Sequence, residues 1–509
     1  MHMAVPATPA QVKAQIARAR SSRSGPLAIV DIGSNSVRLV IYESFSRTPA
    51  VVHNEKAICG IGRNMVSSGR LNDDGMRLAL EALARYRLLA DAHCAEAREA
   101  VATAAARDAP NGKDFIRRAE AAWGGPIRVL SGEEEAHIAA EGVLAGIPDA
   151  DGLAADLGGG SLDMVPVKDG RTGEALTFPF GPLRLIDLAS GDADKARDIV
   201  DKGLAELDGL SLKRGTLYAV GGVWRSFARV DMEEIGYPLH VLHHYEIPKA
   251  RALKLARVVS RMSKKQLDKL RVISRRRAEA LPYGAIVLER LLVTAGLDSV
   301  VISAYGLREG LLHVQLTPEE RAKDPLLEFA IGTNRRVSRV PAHAEELFEW
   351  TSPLFPNEPA ELRRIRLAVC QFSDVGWRRH PDDRAIGAFN QVVTAPFAGA
   401  SHRARALIAT AIFHRYSGDE DFPPGLAVHD LLNAEDGACA MRLGLATRLG
   451  FALSASAVGE LPQYPLRMTP TSIVLEIPRG RGAIAGEPVQ KRLTQLAQIL
   501  GRKAEVLVG

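Results

Sequence analysis

Apolar residues along this chain keep two different spacings, and the spacing changes with position. Between Asp73 and Ala92, Met76, Leu80, Leu83, Tyr86 and Leu89 recur every three or four residues, which predicts an amphipathic helix. Residues 27–62 instead carry apolar runs broken by small polar residues and a Gly60-Ile61-Gly62 turn, which predicts strands. Further strands are expected at 97–103, 127–130, 153–157, 162–167, 216–220 and 300–303. Helices are expected after Ala104 and at 133–144, 193–208, 249–263 and 277–295. Such alternation is the pattern of a doubly wound α/β fold. From Thr317 the character shifts. Pro318 to Asp324 has the composition of a polar linker, and 325–447 is mostly helical in pattern, including 343–350, 361–373 and 403–416. A strand at 473–477, a helix at 489–500 and a strand at 504–508 predict a small α+β end. These shifts divide the chain into an arm (1–24), two α/β domains (25–146 and 147–316), a helical domain (325–447) and a small α+β domain (448–509).

Composition narrows this picture only modestly. A chain of 509 residues is too long for one core. Its 46% apolar and 25% charged residues are ordinary for a globular protein. A net charge of +5 favours an anionic partner. Cys59, Cys94, Cys370 and Cys439 have neither zinc nor disulfide spacing, which suits a reducing cytoplasm. Residues 1–24 are Ala-rich and basic (Lys13, Arg18, Arg20, Arg23), without a signal-peptide core, and are expected to be partly helical or frayed. No apolar run is long enough for a membrane span, and no nucleic-acid motif is present.

Candidate chemistry begins at two glycine turns. In Ala154 to Val165, an apolar strand ends at Asp156, passes Gly158, Gly159, Gly160 and Ser161, and returns through Asp163. Leu27 to Tyr42 repeats the plan with Asp31, Gly33, Ser34, Asn35 and Ser36. Backbone N–H groups in such a turn can close on a phosphate, and flanking carboxylates can hold a divalent cation. The alternative is a tight hairpin with no ligand. A third turn, Gly221-Gly222-Val223-Trp224-Arg225, follows the strand expected at 216–220.

Taken in order, Asp31-Ile-Gly-Ser-Asn-Ser36, Ser131-Gly-Glu-Glu-Glu-Ala136, Asp156-Leu-Gly-Gly-Gly-Ser161, Gly221-Gly-Val-Trp-Arg225 and Tyr305-Gly-Leu-Arg-Glu-Gly310 resemble the exopolyphosphatase / guanosine pentaphosphate phosphohydrolase family of the actin-like ATPase superfamily. The resemblance is close over roughly residues 25–315. It implies two actin-like (ribonuclease H-like) domains around a cleft, then a helical HD-like domain and the small α+β end. It also implies Mg²⁺-dependent, processive removal of the terminal phosphate of inorganic polyphosphate. The same chemistry on guanosine pentaphosphate, giving the tetraphosphate, is the alternative.

The resemblance also assigns residues. Glu135 matches the catalytic glutamate, with the adjacent Glu134 as the alternative register. Arg38 and Arg107 match phosphate-binding arginines, and Arg225, Arg277 and Arg308 are further candidates. Asp31, Asp156 and Asp163 are expected to position Mg²⁺ or another hard divalent cation; hairpin hydrogen bonding is an equal reading of Asp163. Gly33, Ser34, Asn35, Ser36, Gly158, Gly159, Gly160, Ser161, Gly221 and Gly222 are expected to line the phosphate site. Arg261 to Arg277 holds eight Lys/Arg and one Asp. With Arg335, Arg336, Arg339, Arg363, Arg364, Arg366, Arg378 and Arg379 it could form a basic track for a polyanion, though each cluster alone also suits a solvated face. In the HD-like region Ser373 precedes Asp374 where the family pattern has a metal-binding His, which implies a degenerate site, with His343 as the remaining candidate. A homodimer is expected from the resemblance. Two rivals remain, an actin-like kinase and a non-catalytic polyphosphate or alarmone sensor. Trp224 and Arg225 argue against the first, and Glu135 argues against the second.

Overall fold

Residues 25–205, 215–418 and 427–509 are described by the computed structural model. The arm at 1–24 and positions 206–208 of an expected helix lie outside the described residues. The chain divides into two compact units, 1–323 and 324–509.

The first unit contains two α/β lobes. In the first, a five-stranded sheet has the order β3 (Val51–Ile58), β2 (Ser36–Tyr42), β1 (Leu27–Ile32), β4 (Ala97–Ala102), β5 (Arg128–Val129). β1 pairs antiparallel with β2 and parallel with β4. Alternate residues of β1 and β2 pack with Phe115 and Trp123 into one core. The expected helix forms as Asp73–Ala92, where the Asn72 side chain accepts the Gly75 N–H.

The second lobe repeats the plan. β6 (Gly152–Leu157) and β7 (Leu162–Lys168) form the second hairpin. The main path of the sheet is β11 (Tyr245–Pro248), β12 (Ser299–Ile302), β10 (Thr216–Val220), β6, β7 and β8 (Arg171–Thr172), with β9 (Leu176–Phe178) paired to β7. Trp224, Phe227 and Leu288 are buried in its core. The helix expected at 277–295 begins later, at Leu281, because Pro282 favours a first turn; Arg275–Ala278 is a separate short helix.

Pro318–Ala322, expected as linker, is helical. Thr317 Oγ1 accepts the Glu320 N–H at 3.3 Å, and Pro318 starts the turn. The division between units falls after it, at Lys323/Asp324.

The second unit is helical through Pro325–Val337, His343–Thr351, Ala360–Phe372, Arg384–Val393, His402–Ser417 and Ala434–Ser454. The boundary expected at 447/448 falls inside the last of these. Beyond it, β13 (Leu466–Met468), β14 (Ser472–Ile477) and β15 (Lys503–Val508) make a small sheet with the Glu487–Ile499 helix. No helix among the described residues is long and apolar enough to cross a membrane.

Candidate active site

The two hairpins are equivalent position by position. Gly33 N–H donates to Ser36 O at 3.0 Å, and Gly158 N–H donates to Ser161 O at the same distance. Strand register pairs Asp31 with Arg38 in the first hairpin and Asp156 with Asp163 in the second. The repeat therefore places an arginine in one lobe where the other has an acid.

The turns meet across a cavity of about 200 Å³. A Cβ built on Gly159 would lie 3.2 Å from Ser34 Cβ, and one on Gly160 would lie 3.3 Å from Ser34 Oγ. Of the expected residues, Asp31, Gly33, Ser34, Asn35, Ser36, Arg38, Glu135, Asp156, Gly158, Gly159, Gly160, Ser161, Gly221, Gly222, Arg277 and Arg308 line it, with Arg225. Arg107 and Asp163 stand just behind the lining, Arg107 on Glu135 and Asp163 on Ser161. The third turn lies against the second: Gly221 has φ 115°, and a Cβ there would lie 2.5 Å from Leu157 O.

Glu135 and Glu134 separate at once. Ser131 Oγ accepts the Glu134 N–H at 3.0 Å, and the Glu134 carboxylate accepts the Ser131 N–H at 2.9 Å. This capping box starts the Gly132–Gly146 helix and turns Glu134 away from the cavity. Glu134 is therefore not the catalytic candidate. Glu135, one residue on, is 8% exposed and receives Arg107 Nη1 on Oε2 at 3.3 Å. Arg107 is held in turn by Leu130 O at 3.0 Å and Asp108 Oδ1 at 3.1 Å.

Burial pushes the Glu135 carboxyl well above the ordinary range, and the neighbouring Asp163 and Asp156 push it further. Asp156 is raised to about 7, by burial and then by Asp163. Asp163 is raised to about 6 by burial, against the hydroxyls of Ser161 and Thr177. Its Oδ2 accepts Ser161 Oγ–H at 2.8 Å, while the buried Oδ1 has no hydrogen-bond partner in the protein. Oδ2 thus makes the expected hairpin hydrogen bond, and Oδ1 is the oxygen left over. Asp31 differs: its Oδ2 receives Arg308 Nη1 at 2.8 Å. Among the described residues, no three His, Cys, Asp or Glu side chains form a ready ligand set. The unpartnered oxygen and the mutual repulsion of Asp156, Asp163 and Glu135 nevertheless fit a hard cation held through water.

Cations gather in the same cavity, beside Asp31 and Asp156. Arg38, Lys56, Arg63, Arg225, Arg277 and Arg308 all line it. Lys56 was missed in the sequence. Strand register places it beside Arg38, which is itself beside Asp31, so the three form a row across β1, β2 and β3. Burial and then Arg277 lower the Lys56 ammonium to about 8. Burial and then Arg308 lower Arg225 to about 10. Among the described residues, the lining contains no aromatic ring.

The basic clusters of the second unit are partly ion-paired. Arg366 is buried on Glu358, Arg339 chelates Asp374, Arg363 lies near Glu358, Arg364 binds Asp324, and Arg379 pairs with Asp383. Five of the eight expected track residues there are ion-paired; of these Arg366 is buried, Arg364 and Arg379 are half-buried, and Arg339 and Arg363 stay exposed. The HD-like site is closed as well. Ser373 Oγ donates to Val369 O, and Asp374 takes Arg339 Nη2 at 2.7 Å. His343 is buried against Ser454 Oγ at 2.7 Å, and burial lowers it to about 4. An arginine supplies the positive charge beside Asp374.

Two α/β lobes presenting matched glycine turns to one cleft define the actin-like class. Within it, the chain belongs to the Ppx/GppA phosphatase family, whose profile matches residues 16–319, and it is a hydrolase. A second profile, exopolyphosphatase C-terminal, matches residues 330–507. Exopolyphosphatase 1 of Mycobacterium tuberculosis is 29% identical over 310 residues, covering 58% of this chain and 89% of its own. Exopolyphosphatase 2 of the same organism is 27% identical, covering 56% and 97%. The Aquifex aeolicus PPX-GPPA enzyme superposes with TM-score 0.50 at 25% identity, over 57% of this chain and 98% of that one. An exopolyphosphatase from Cytophaga hutchinsonii shares the fold, with TM-score 0.51 at 21% identity over 57% and 97%.

Proposed function

We propose that the protein is an exopolyphosphatase that removes the terminal phosphate of inorganic polyphosphate. The observation carrying this reading is Glu135, a buried carboxylate aimed into a cavity between two glycine turns. Its raised proton affinity suits a base that accepts a proton from attacking water. The water oxygen bonds to the terminal phosphorus, the bridging P–O bond breaks, and the shortened chain leaves with the bridging oxygen. The turn N–H groups and Arg38 would orient the terminal phosphoryl oxygens, and Arg107 would hold Glu135. Asp156 and Asp163 are the residues to hold Mg²⁺ or another hard divalent cation, with Asp31 shared with Arg308. When bound, such an ion neutralises phosphoryl charge.

Six cations in the lining, with no aromatic ring among its described residues to stack a base, favour a chain of phosphates over the guanosine pentaphosphate alternative. A cytoplasmic homodimer remains part of the proposal, tested by sedimentation. The main test is phosphate release with Mg²⁺ from long-chain polyphosphate and from guanosine pentaphosphate, using wild type and Glu135→Gln. The expected result is faster release from polyphosphate, lowered about 10²–10⁴-fold in the variant. Preference for the nucleotide, or an active variant, would overturn the reading.

A further inference from the structure

The helix Pro182–Ala189 touches both phosphate turns' surroundings, and its contacts form a continuous path to Glu135. Its N-terminus rests on the second turn, where Leu183 N–H donates to Gly159 O at 2.9 Å. The approach is close enough that a Cβ on Gly181 would lie 2.6 Å from Gly159 C and Gly160 N. The next turn of the same helix faces the first lobe. Asp187 Oδ2 accepts the N–H groups of Val66 and Ser67 at 2.9 and 3.0 Å. One turn earlier on that face, Arg184 Nη1 reaches Asp108 Oδ2 at 3.5 Å.

Asp108 has two ligands from two lobes. Its Oδ2 faces Arg184 of the second lobe, and its Oδ1 accepts Arg107 Nε–H of the first at 3.1 Å. Arg107 then donates to Glu135 at 3.3 Å. The outer pair is more exposed, 29% at Arg184 and 35% at Asp108, than the inner pair, 23% at Arg107 and 11% at Glu135. The outer links are solvated and individually weak, so they can open; the inner link is shielded and strengthens when they close.

We propose that Asp108 is a positioning residue that ties closure of the two lobes, through Arg184, to the placement of Arg107 on Glu135. Without Arg184 the Asp108 carboxylate is free to swing, and Arg107 loses a fixed anchor on the side away from Glu135. The inference rests on the proposed role of Glu135 for its catalytic arm. Its closure arm stands on the lobe contacts alone.

The test uses the full chain and long-chain polyphosphate, with Arg184→Gln, Asp108→Asn, the double variant and Arg184→Lys. Each of the first two is expected to lower kcat about fivefold or more, with KM changed less than about twofold. The double variant is expected to match the worse single one, and Arg184→Lys to recover most of the loss. Losses that multiply, or a normal kcat in Arg184→Gln, would overturn the proposal. In parallel, amide hydrogen exchange at Val66 and Ser67 reads closure without turnover. Exchange should quicken about fivefold in both single variants and no further in the double. Unchanged exchange overturns the closure arm. If wild type releases no phosphate from any substrate, the functional reading fails, and exchange alone decides whether Arg184 and Asp108 latch the lobes.

Discussion

Gly310 offers the sharpest test of how the cleft is held in register. It lies on the Leu307–His313 helix, which crosses the Gly132–Gly146 helix. A Cβ at Gly310 would sit 1.8 Å from Ile138 O and 3.0 Å from Gly142 N. On the opposite side, a Cβ at Gly142 would sit 2.1 Å from Gly306 O. All of these atoms are backbone, so no side chain can rotate away. Ordinary contact begins at 3.4 Å, so Gly310→Ala must part the helices by about 1.6 Å. Overpacking of this kind costs about 1–3 kcal/mol. One helix carries Arg308, two residues from the clash, and the other carries Glu135, one turn away. Misplacing reacting groups by about 1 Å costs roughly 10²-fold in rate. Phosphate release from polyphosphate should therefore fall about 10²-fold in Gly310→Ala, with a melting temperature lowered by several degrees. Gly437 is the control: it is a helical glycine where an added Cβ would meet nothing within 4 Å, so alanine should stabilise by about 0.5–1 kcal/mol. A Gly310→Ala enzyme with wild-type turnover and melting would refute the reasoning.

Raised carboxyls in the folded state bind protons that the unfolded chain releases near pH 4, so their contribution to stability is greatest below that pH and is lost as pH rises. Asp163 at about 6 and Asp156 at about 7 set the window, so melting temperature in chelator should fall between pH 5 and 8. Asp163→Asn should flatten that fall, and Mg²⁺ should oppose it most at the alkaline end. Lys56→Met should raise KM for long polyphosphate and lower the steepness with which added salt raises it, measured as the slope of log KM against log salt. Asp374→Ala strands Arg339 and should cost about 1–2 kcal/mol in thermal unfolding, without changing the Mg²⁺ dependence of turnover.

Much of this architecture was legible because strand and turn signals were local. The two hairpins, the Asp73–Ala92 helix and the strand at 216–220 follow from spacing and glycine placement alone. Three features were harder. The Glu133–Glu135 triplet hid its register, although Ser131 and Glu134 have the spacing of a capping box and could have resolved it. Lys56 lies on an edge strand that alternates exposed and half-buried positions, on the exposed phase, and nothing short of register against Arg38 brings it to the cavity. The arginines of the second unit formed clusters in sequence, but charge counts cannot distinguish a solvated cation from one bonded to Glu358 or Asp374. Asp31 was legible as a cleft residue, while its bond to Arg308 joins positions 277 residues apart.

The first turn of the Gly132–Gly146 helix has a consequence for how this chain can vary. Glu133 and Glu134 are exposed and Glu135 is buried, yet the three are chemically identical. Position 133 can drift among helix-compatible polar residues. Position 134 can exchange with glutamine, whose amide oxygen also reaches back to Ser131 N–H. If Glu135 is the proposed base, exchanges at position 135 that remove the carboxylate should cost turnover, and shortening it to aspartate would withdraw it from Arg107. A saturation scan should therefore recover three unlike tolerance profiles from three consecutive codons for one amino acid.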